Sequence, residues 1–158
     1  MINILYPVLL DSSKDLGSNY LTDPNGVFEG SPLSLDATGQ VSKTLTNIKV
    51  YGLSFVPANK YRDFSAGEYG AFGSGKITAV LSGIVQLYPN TYDLNDGTSV
   101  IVPLWVSSVD TAAPNIPIYV EIGTGLLTDG TVSNGNTLVG YVTKSPAMNS
   151  GVLELELA

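Results

Sequence analysis

Short apolar runs separated by turn-forming residues are the feature that most limits how this chain can fold. Apolar residues at the helical spacing i, i+3, i+4 and i+7 are nowhere sustained. Instead, β-branched and aromatic runs recur between clusters of Gly, Pro, Asn and Asp, and the 158 residues include 17 glycines and nine prolines. This pattern is typical of short strands joined by tight turns. It predicts an all-β domain, either a barrel or a sandwich.

Ten segments carry the strand pattern. In the last of them, "GVLELELA", Leu153 and Leu155 alternate with Glu154 and Glu156, which predicts a strand with one buried and one solvated face. The two glutamates would also suit an edge strand that charges protect against unwanted pairing. The predicted strands are residues 4–9, 27–28, 33–35, 48–55, 77–80, 84–88, 100–106, 118–122, 138–143 and 152–157.

Two similar turn phrases occur far apart in the chain, "LSLDATGQVS" at residues 33–42 and "LLTDGTVS" at residues 126–133. In the first, Asp36 suits the first position of a type I turn and Gly39 suits the left-handed residue that completes a bulged hairpin loop. An apolar strand with a glycine follows each phrase. They are either related hairpins or two ordinary hairpins that share turn residues.

Composition and charge exclude several functions. Hydrophobic residues make up 44% of the chain and charged residues 13%, which indicates a folded domain rather than a disordered segment. A formal net charge of −7 repels phosphate backbones, so we expect no direct nucleic-acid binding. The chain has no histidine and no cysteine, which rules out the Ser-His-Asp and Cys-His arrangements and zinc sites of the Cys or His type. We expect no enzyme, and no catalytic residue, cofactor or metal site.

An incomplete calcium-loop pattern occurs in "YDLNDG", where Asp93, Asn95 and Asp96 offer alternating oxygen ligands. Gly97 and Val102 do not match the spacing that a calcium loop requires. We therefore predict an Asx-type turn there.

The N-terminal segment has two interpretations. Its apolar stretch, residues 2–10, is too short to cross a hydrocarbon core of roughly 30 Å as a helix, and no longer stretch occurs, so we expect no membrane association. Residues 1–26 could form an arm that adds a strand to a neighbouring subunit, with residues 27–158 as the β-domain. Equally, the segment could supply the first strand of the protein's own domain.

The least regular stretch is "PANKYRDFSAGEYGAFGSGK", residues 57–76, which exceeds the usual loop length of about 4 to 6 residues. It contains four aromatic residues, which either pack back on the domain as a satellite cluster or form an exposed interaction patch. They are Tyr61, Phe64, Tyr69 and Phe72.

Several phrases together resemble a known family. They are "EGSPLSLDATGQV", "IKVYGLS", "GKITAVLSGIVQL", "IYVEIGTGLLTDG", "TLVGYVTKSP" and "GVLELEL", in this order over about residues 27–158. The pattern is similar to that of the head decoration (cement) proteins of tailed double-stranded DNA bacteriophages. In that family a "G-x-x-L-x-L-D-x-x-G-x-V" hairpin precedes an apolar strand with glycine. The long stretch 57–76 and the insert at residues 107–117 depart from the family pattern.

The resemblance implies a β-tulip-like domain with long loops that binds the outside of the expanded capsid. It implies a homotrimer that clamps neighbouring major capsid subunits, located on the exterior of the virion. We expect the contact residues to be Ile2, Ile4, Leu5, Tyr61, Phe64, Tyr69 and Phe72. The alternatives are another virion β-module, such as a head fibre base or tail component, or a carbohydrate-binding domain. A carboxylate-based enzyme is the remaining class.

Overall fold

The computed structural model describes residues 1–5, 9–17, 24–61, 75–130 and 137–158. These residues form thirteen strands and two short 3₁₀ helices, Ser107–Thr111 and Pro146–Met148, and no α-helix occurs among them. The strands are β1 (Ile2–Ile4), β2 (Leu10–Asp15), β3 (Pro32–Leu35), β4 (Val41–Lys43), β5 (Gly52–Ser54), β6 (Lys76–Val80), β7 (Ile84–Leu87), β8 (Asn90–Asp93), β9 (Ser99–Val102), β10 (Pro117–Val120), β11 (Leu127–Thr128), β12 (Leu138–Lys144) and β13 (Leu153–Leu157).

The strands pair into three sheets. A six-stranded sheet has the order β1-β7-β13-β12-β10-β11, and a five-stranded sheet has the order β2-β6-β5-β3-β4. The third sheet is the hairpin β8-β9. Every strand pair within the sheets is antiparallel.

The two large sheets form a sandwich-like arrangement rather than a closed barrel, and the all-β prediction is confirmed. The chain passes from the five-stranded sheet to the six-stranded one between β6 and β7, where Gly83 adopts a φ of 114°. An isolated parallel bridge joins Leu16, which follows β2, to Val41 of β4, so it connects the two edges of the five-stranded sheet.

The main hydrophobic core draws on both large sheets. Leu53 and Val80 come from the five-stranded sheet, and they pack with residues of the six-stranded sheet such as Val85 and Leu155. A second cluster lies on the five-stranded sheet and is completed by residues outside its strands; it consists of Leu16, Val27, Leu33, Val41, Val56, Ala58, Ile77 and Ala79. The apolar area buried in these two clusters stabilises the packed sheets.

The N-terminal segment supplies strands to both sheets of this chain. Ile2 pairs with Leu87, which places β1 at an edge of the six-stranded sheet. Leu10 pairs with Val80, which places β2 at an edge of the five-stranded sheet. The described residues of segment 1–26 therefore take the second of the two arrangements expected for it, that of strands within the protein's own domain.

The first turn phrase forms the predicted bulged hairpin between β3 and β4. The Asp36 amide donates to the Gln40 carbonyl at 2.8 Å, and the Gly39 amide donates to the Asp36 carbonyl at 3.1 Å. Gly39 has a φ of 81°, the left-handed conformation expected of it. In the second phrase, Thr128 pairs instead with Tyr119 of β10, and residues 131–133 lie outside the described part of the chain.

The position of β13 in its sheet shows that one of the two interpretations of Glu154 and Glu156 is wrong. It lies between β7 and β12, so it is not an edge strand and its charges do not protect an edge. Glu156 is exposed, as the alternation predicts, but Glu154 is only 7% exposed. The ammonium of Lys144 on β12 stands 3.7 Å from the Glu154 carboxylate, and this neighbour in the centre of the sheet helps to cover it.

Candidate functional site

The described residues form a cleft of about 320 Å³. Part of its lining is the segment Val102 to Leu104, which begins at the last residue of β9, and another part is the turn from Gly123 to Leu126 between β10 and β11. Residues 59–61, Phe28 and Ser31 also line it. Its size is at the lower end of the range of small-molecule sites, roughly 300 to 1,000 Å³.

Phe28 is held in place by a tight turn. The Phe28 amide donates to Ser31 Oγ, and the Ser31 amide donates to the Phe28 carbonyl, both at 2.9 Å. Gly30 between them has a φ of 94°, and a Cβ there would stand 2.9 Å from Leu104 Cδ1. Glycine therefore satisfies both the backbone conformation and the close approach to the core.

Three aromatic rings form a connected group beside the cleft, which we call the aromatic group: Phe28, Tyr61 and Tyr92. The Tyr61 and Tyr92 rings stack with centroids 5.4 Å apart, and Phe28 and Tyr92 are tilted at 6.1 Å. The buried Asn59 orients two of them, because its Nδ2 donates to Tyr92 Oη at 3.2 Å and its Oδ1 accepts from the Tyr61 amide at 2.9 Å. Phe28 and Tyr61 line the cleft, while Tyr92 supports them from behind.

Two lysine ammonium groups lie over these rings. Lys43 Nζ is 5.3 Å from the centroid of Phe28, and Lys60 Nζ is 5.1 Å from the centroid of Tyr61. Both separations are within the range of cation–π attraction. A Cβ at Gly125 would stand 2.6 Å from Lys43 Cε, so the glycine leaves room for the Lys43 side chain along the cleft wall. The cleft thus brings two lysines together with the rings of Phe28 and Tyr61.

The predicted contact residues occupy different environments. Ile2 is 5% exposed and belongs to the main core, and Ile4 is half-buried against it. Neither presents a fully accessible side chain, because β1 is a strand of the protein's own sheet. The side chain of Leu5, by contrast, is 43% exposed and therefore accessible. Tyr61 lies in the aromatic group, whereas Phe64, Tyr69 and Phe72 lie outside the described residues.

The turn carboxylates accept hydrogen bonds from their own hairpins. Asp36 Oδ1 accepts from the Thr38 hydroxyl at 2.6 Å, and Asp96 Oδ1 accepts from the Thr98 hydroxyl at the same distance. These hydrogen bonds, with those from the backbone, hold the pKa of both carboxyls below the ordinary value. The "YDLNDG" stretch therefore contains an Asx-type turn, with Asp93 accepting from Ser99 Oγ at 2.8 Å.

The described residues contain no group of three or more His, Cys, Asp or Glu side chains placed to hold a metal ion. Within the same residues, no helix has the length and apolar character needed to cross a membrane. Comparison with protein-family models, with curated proteins and with solved structures found no significant match for this chain.

Sequence patterns identified only part of this cleft. Tyr61 is a predicted contact residue, but Phe28, Lys43 and Tyr92 lie on segments well separated in sequence and show no shared motif. The tertiary fold brings them together through the turn at Phe28 and the hairpin β8-β9, whose Tyr92 reaches the other two rings. The "FEGS" segment is the one local signal, since glycine and serine are both common in tight turns.

Proposed function

We propose that this protein is a structural virion protein that binds the outer surface of a tailed-phage capsid and clamps neighbouring major capsid subunits. The observation that carries the proposal is the resemblance of the "G-x-x-L-x-L-D-x-x-G-x-V" segment to the decoration proteins, together with the folding of that segment as the hairpin β3-β4. The other resembling segments contribute strands to the same packed sheets. Homotrimer formation at threefold positions is part of the proposal.

A clamp acts by burying surface and needs no reacting group. Exposed apolar side chains provide the surface that such contacts bury. Leu5 and Leu9 flank the connection between β1 and β2, and Leu9 is 60% exposed. Ile101, on the hairpin β8-β9, is 68% exposed. These three side chains replace Ile2 and Ile4 as the residues whose change should weaken attachment without altering the core.

Immunogold labelling of virions of the phage whose genome encodes the chain tests this proposal. Antibody against the protein should place gold on the heads, and light scattering of the purified protein over a wide concentration range should detect a trimer near three times 16.6 kDa. Gold confined to tails would favour a tail component, and gold at isolated points on the head would favour a fibre base. Virions without gold would contradict the proposal.

Variants identify the contact surface. Leu9→Ser and Ile101→Ser should reduce the amount of protein that co-sediments with expanded heads, because each removes an exposed apolar side chain. Leu35→Ser is the matched control, since Leu35 is also exposed but lies on the hairpin β3-β4. Equal loss in all three variants would contradict a contact surface at Leu9 and Ile101.

A second candidate function, carbohydrate binding, is favoured by the cleft. Sugar rings stack on aromatic rings, and the half-buried ring of Tyr61 lines the cleft. A glycan array should then show binding that Tyr61→Ala abolishes. Binding that persists in Tyr61→Ala would exclude the cleft as the site.

A further inference from the structure

The hairpins β3-β4 and β8-β9 have the same backbone turn but different positions in the fold. In each turn a left-handed glycine closes the loop, Gly39 with a φ of 81° and Gly97 with a φ of 84°. The hairpin β3-β4 is built into the five-stranded sheet, where β3 also pairs with β5. Among the described residues, no third strand pairs with β8 or β9. The second hairpin therefore presents open strand edges.

The register of this hairpin shows which backbone groups lie at the outer edge of β9. The Leu94 amide donates across the turn to the carbonyl four residues on, at 2.8 Å. Hydrogen-bonded pairs then recur at every second position of an antiparallel ladder, so Val100 and Val102 bond to β8. The N–H and C=O groups of Ser99 and Ile101 alternate with these and point away from β8, and both residues are exposed.

The outer edge of β9 lacks the features that protect exposed strands from pairing. Natural edge strands usually carry charges, proline or a bulge. The sequence of β9 is SVIV, and its register with β8 is regular. The side chain of Ile101 is 68% exposed. Because β8 ends in the charged residue Asp93, the edge of β9 is the more suitable of the two for the addition of a strand.

The charges of the hairpin favour a basic partner. Residues 90–102 contain Asp93 and Asp96 and no lysine or arginine. Asp93 Oδ1 accepts from the Ser99 hydroxyl at 2.8 Å, which holds this carboxylate beside the outward-facing part of β9. Neither aspartate is in an ion pair within the described residues, and only Oδ1 of each accepts a hydrogen bond there. The Oδ2 atoms can therefore accept from the cation of an added strand.

We propose that the outer edge of β9 binds an extended basic segment of another protein by strand addition. The segment would pair with the backbone of Ser99 and Ile101 and place a lysine or arginine near Asp93. A second copy of this chain is a poorer occupant, since its net charge of −7 repels the acidic hairpin. The inference goes beyond the proposed function, because it requires neither a capsid nor a trimer.

Three octapeptides that differ in charge or in strand-forming capacity test the inference. The first alternates valine with lysine, the second valine with glutamate, and the third proline with lysine. Calorimetry with the full chain measures their binding. We expect the valine–lysine peptide to bind at least about tenfold more tightly than the other two, since it alone combines positive charge with a backbone that can pair as a strand. Raising the salt concentration should weaken its binding.

Amide hydrogen exchange measured by NMR locates the added strand. Binding of the valine–lysine peptide should slow exchange at Ser99 and Ile101, whose amides face outwards. It should change exchange little at Val100 and Val102, whose amides already bond to β8. This alternation is specific to strand pairing, because a contact with the Ile101 side chain alone would not produce it. Slowed exchange at the outward-facing amides of β8 instead would overturn the assignment to β9.

Substitutions test the backbone and the charge separately. Ser99→Pro removes an outward-facing N–H and should weaken peptide binding by about tenfold, whereas Ser99→Ala, which loses the same hydroxyl, should retain it. Asp96→Asn should weaken binding by about two- to fivefold. Asp36→Asn is the matched control, because Asp36 also accepts from a threonine hydroxyl but lies on the hairpin β3-β4. Circular dichroism verifies that each variant is folded.

The remaining outcomes would contradict the inference. Absence of binding at millimolar valine–lysine peptide, or equal binding of the three peptides, would overturn it. Exchange at Ser99 and Ile101 that slows with protein concentration alone would show a second copy at this edge, and would overturn it as well. Gold labelling tests the capsid proposal separately from all of these results.

Discussion

Glu154 shows how a single residue can depart from the periodicity around it. Alternation along β13 predicts a solvated side chain, yet this carboxylate is covered and its Oε2 accepts no hydrogen bond within the described residues. Its ion pair with Lys144 contributes to compensating the burial of this oxygen. A buried charge that loses its partner is costly because it keeps the desolvation penalty.

Lys144→Met should lower the free energy of unfolding by about 1 to 2 kcal/mol, since it leaves the Glu154 carboxylate without its ion-pair partner. Solvent screening limits the loss because Lys144 itself is largely exposed. Urea denaturation measures the change. Lys76→Met, which breaks the more exposed pair with Asp15, is the control and should cost less. Equal effects of the two variants would show that the burial of Glu154 is compensated elsewhere.

The turn carboxylate of Asp36 links stability to pH. Hydrogen bonds from Thr38 hold its pKa below the ordinary value in the folded hairpin, whereas the unfolded chain has the ordinary value. Its contribution to stability is therefore present above the unfolded pKa, about 4, and is lost as the pH falls through the lower folded pKa.

Asp36→Asn keeps an acceptor oxygen but removes this titration. We expect the thermal midpoint of the variant to fall less between about pH 5 and about pH 3 than that of the wild type. Scanning calorimetry at the two pH values measures both midpoints. An unchanged acid sensitivity in the variant would assign the pH dependence to other carboxyls, with Asp96 the next to test because it has the same hydrogen-bonding arrangement.

Among the secondary-structure elements, β1 determines how the effect of an N-terminal truncation on capsid binding can be interpreted. Ile2 is part of the main core, so removing residues 1–10 takes away core contacts and a sheet edge together. Loss of capsid binding by such a truncation would not separate an attachment role from a structural one. Point substitutions separate an attachment role from a structural one.

Ile2→Ala should lower the free energy of unfolding by about 2 to 4 kcal/mol, because it removes buried methyl groups and leaves a cavity. Leu5→Ala, on the same segment but exposed, should change it by less than about 0.5 kcal/mol. Chemical denaturation of both variants measures the difference. A small effect of Ile2→Ala would mean that β1 is readily detached from β7.

Strands with strong apolar patterns could be predicted from the sequence, and weakly patterned ones could not. The segments 33–35, 77–80, 84–88, 138–143 and 152–157 all coincide closely with observed strands. The segment 48–55 was too long, because only Gly52–Ser54 pairs, and there a Cβ on Gly52 would stand 2.6 Å from the Val80 carbonyl oxygen. The polar strands β2 and β8, with sequences LDSSKD and NTYD, were missed because sheet partners rather than β-propensity determine them.

On the scale of the whole molecule, the shared core makes the two large sheets one cooperative unit. Leu53 is fully buried in the main core although it belongs to the five-stranded sheet. Trp105 lies in the same core, and its backbone bridges to Leu127 of β11 in the six-stranded sheet.

Leu53→Ala should lower the free energy of unfolding by about 2 to 5 kcal/mol. Because Trp105 is the only tryptophan, its fluorescence reports on this core, while circular dichroism reports on all strands. The two unfolding curves should shift together in the variant, as expected for a two-state transition. Curves that separate would show that the sheets unfold independently.

The fold class was accessible from the sequence because turn residues and short apolar runs are local signals. The cleft was not, since its rings and ammonium groups come from distant segments that only the packed sheets bring together. Of the cleft residues, the sequence predicts only Tyr61 as a contact residue. The prediction rests on its position in an aromatic-rich stretch, which does not indicate its partners in the fold.

The position of β13 between β7 and β12 also sets the order in which the chain can fold. Those two neighbours cannot be joined until residues 153–157 have left the ribosome, although β7 was synthesised about 65 residues earlier. The nascent chain therefore holds two unpaired strand edges until synthesis reaches this point. Folding of the six-stranded sheet should be slow and dominated by non-local pairing, and truncation before residue 153 should produce an aggregating fragment rather than a smaller domain.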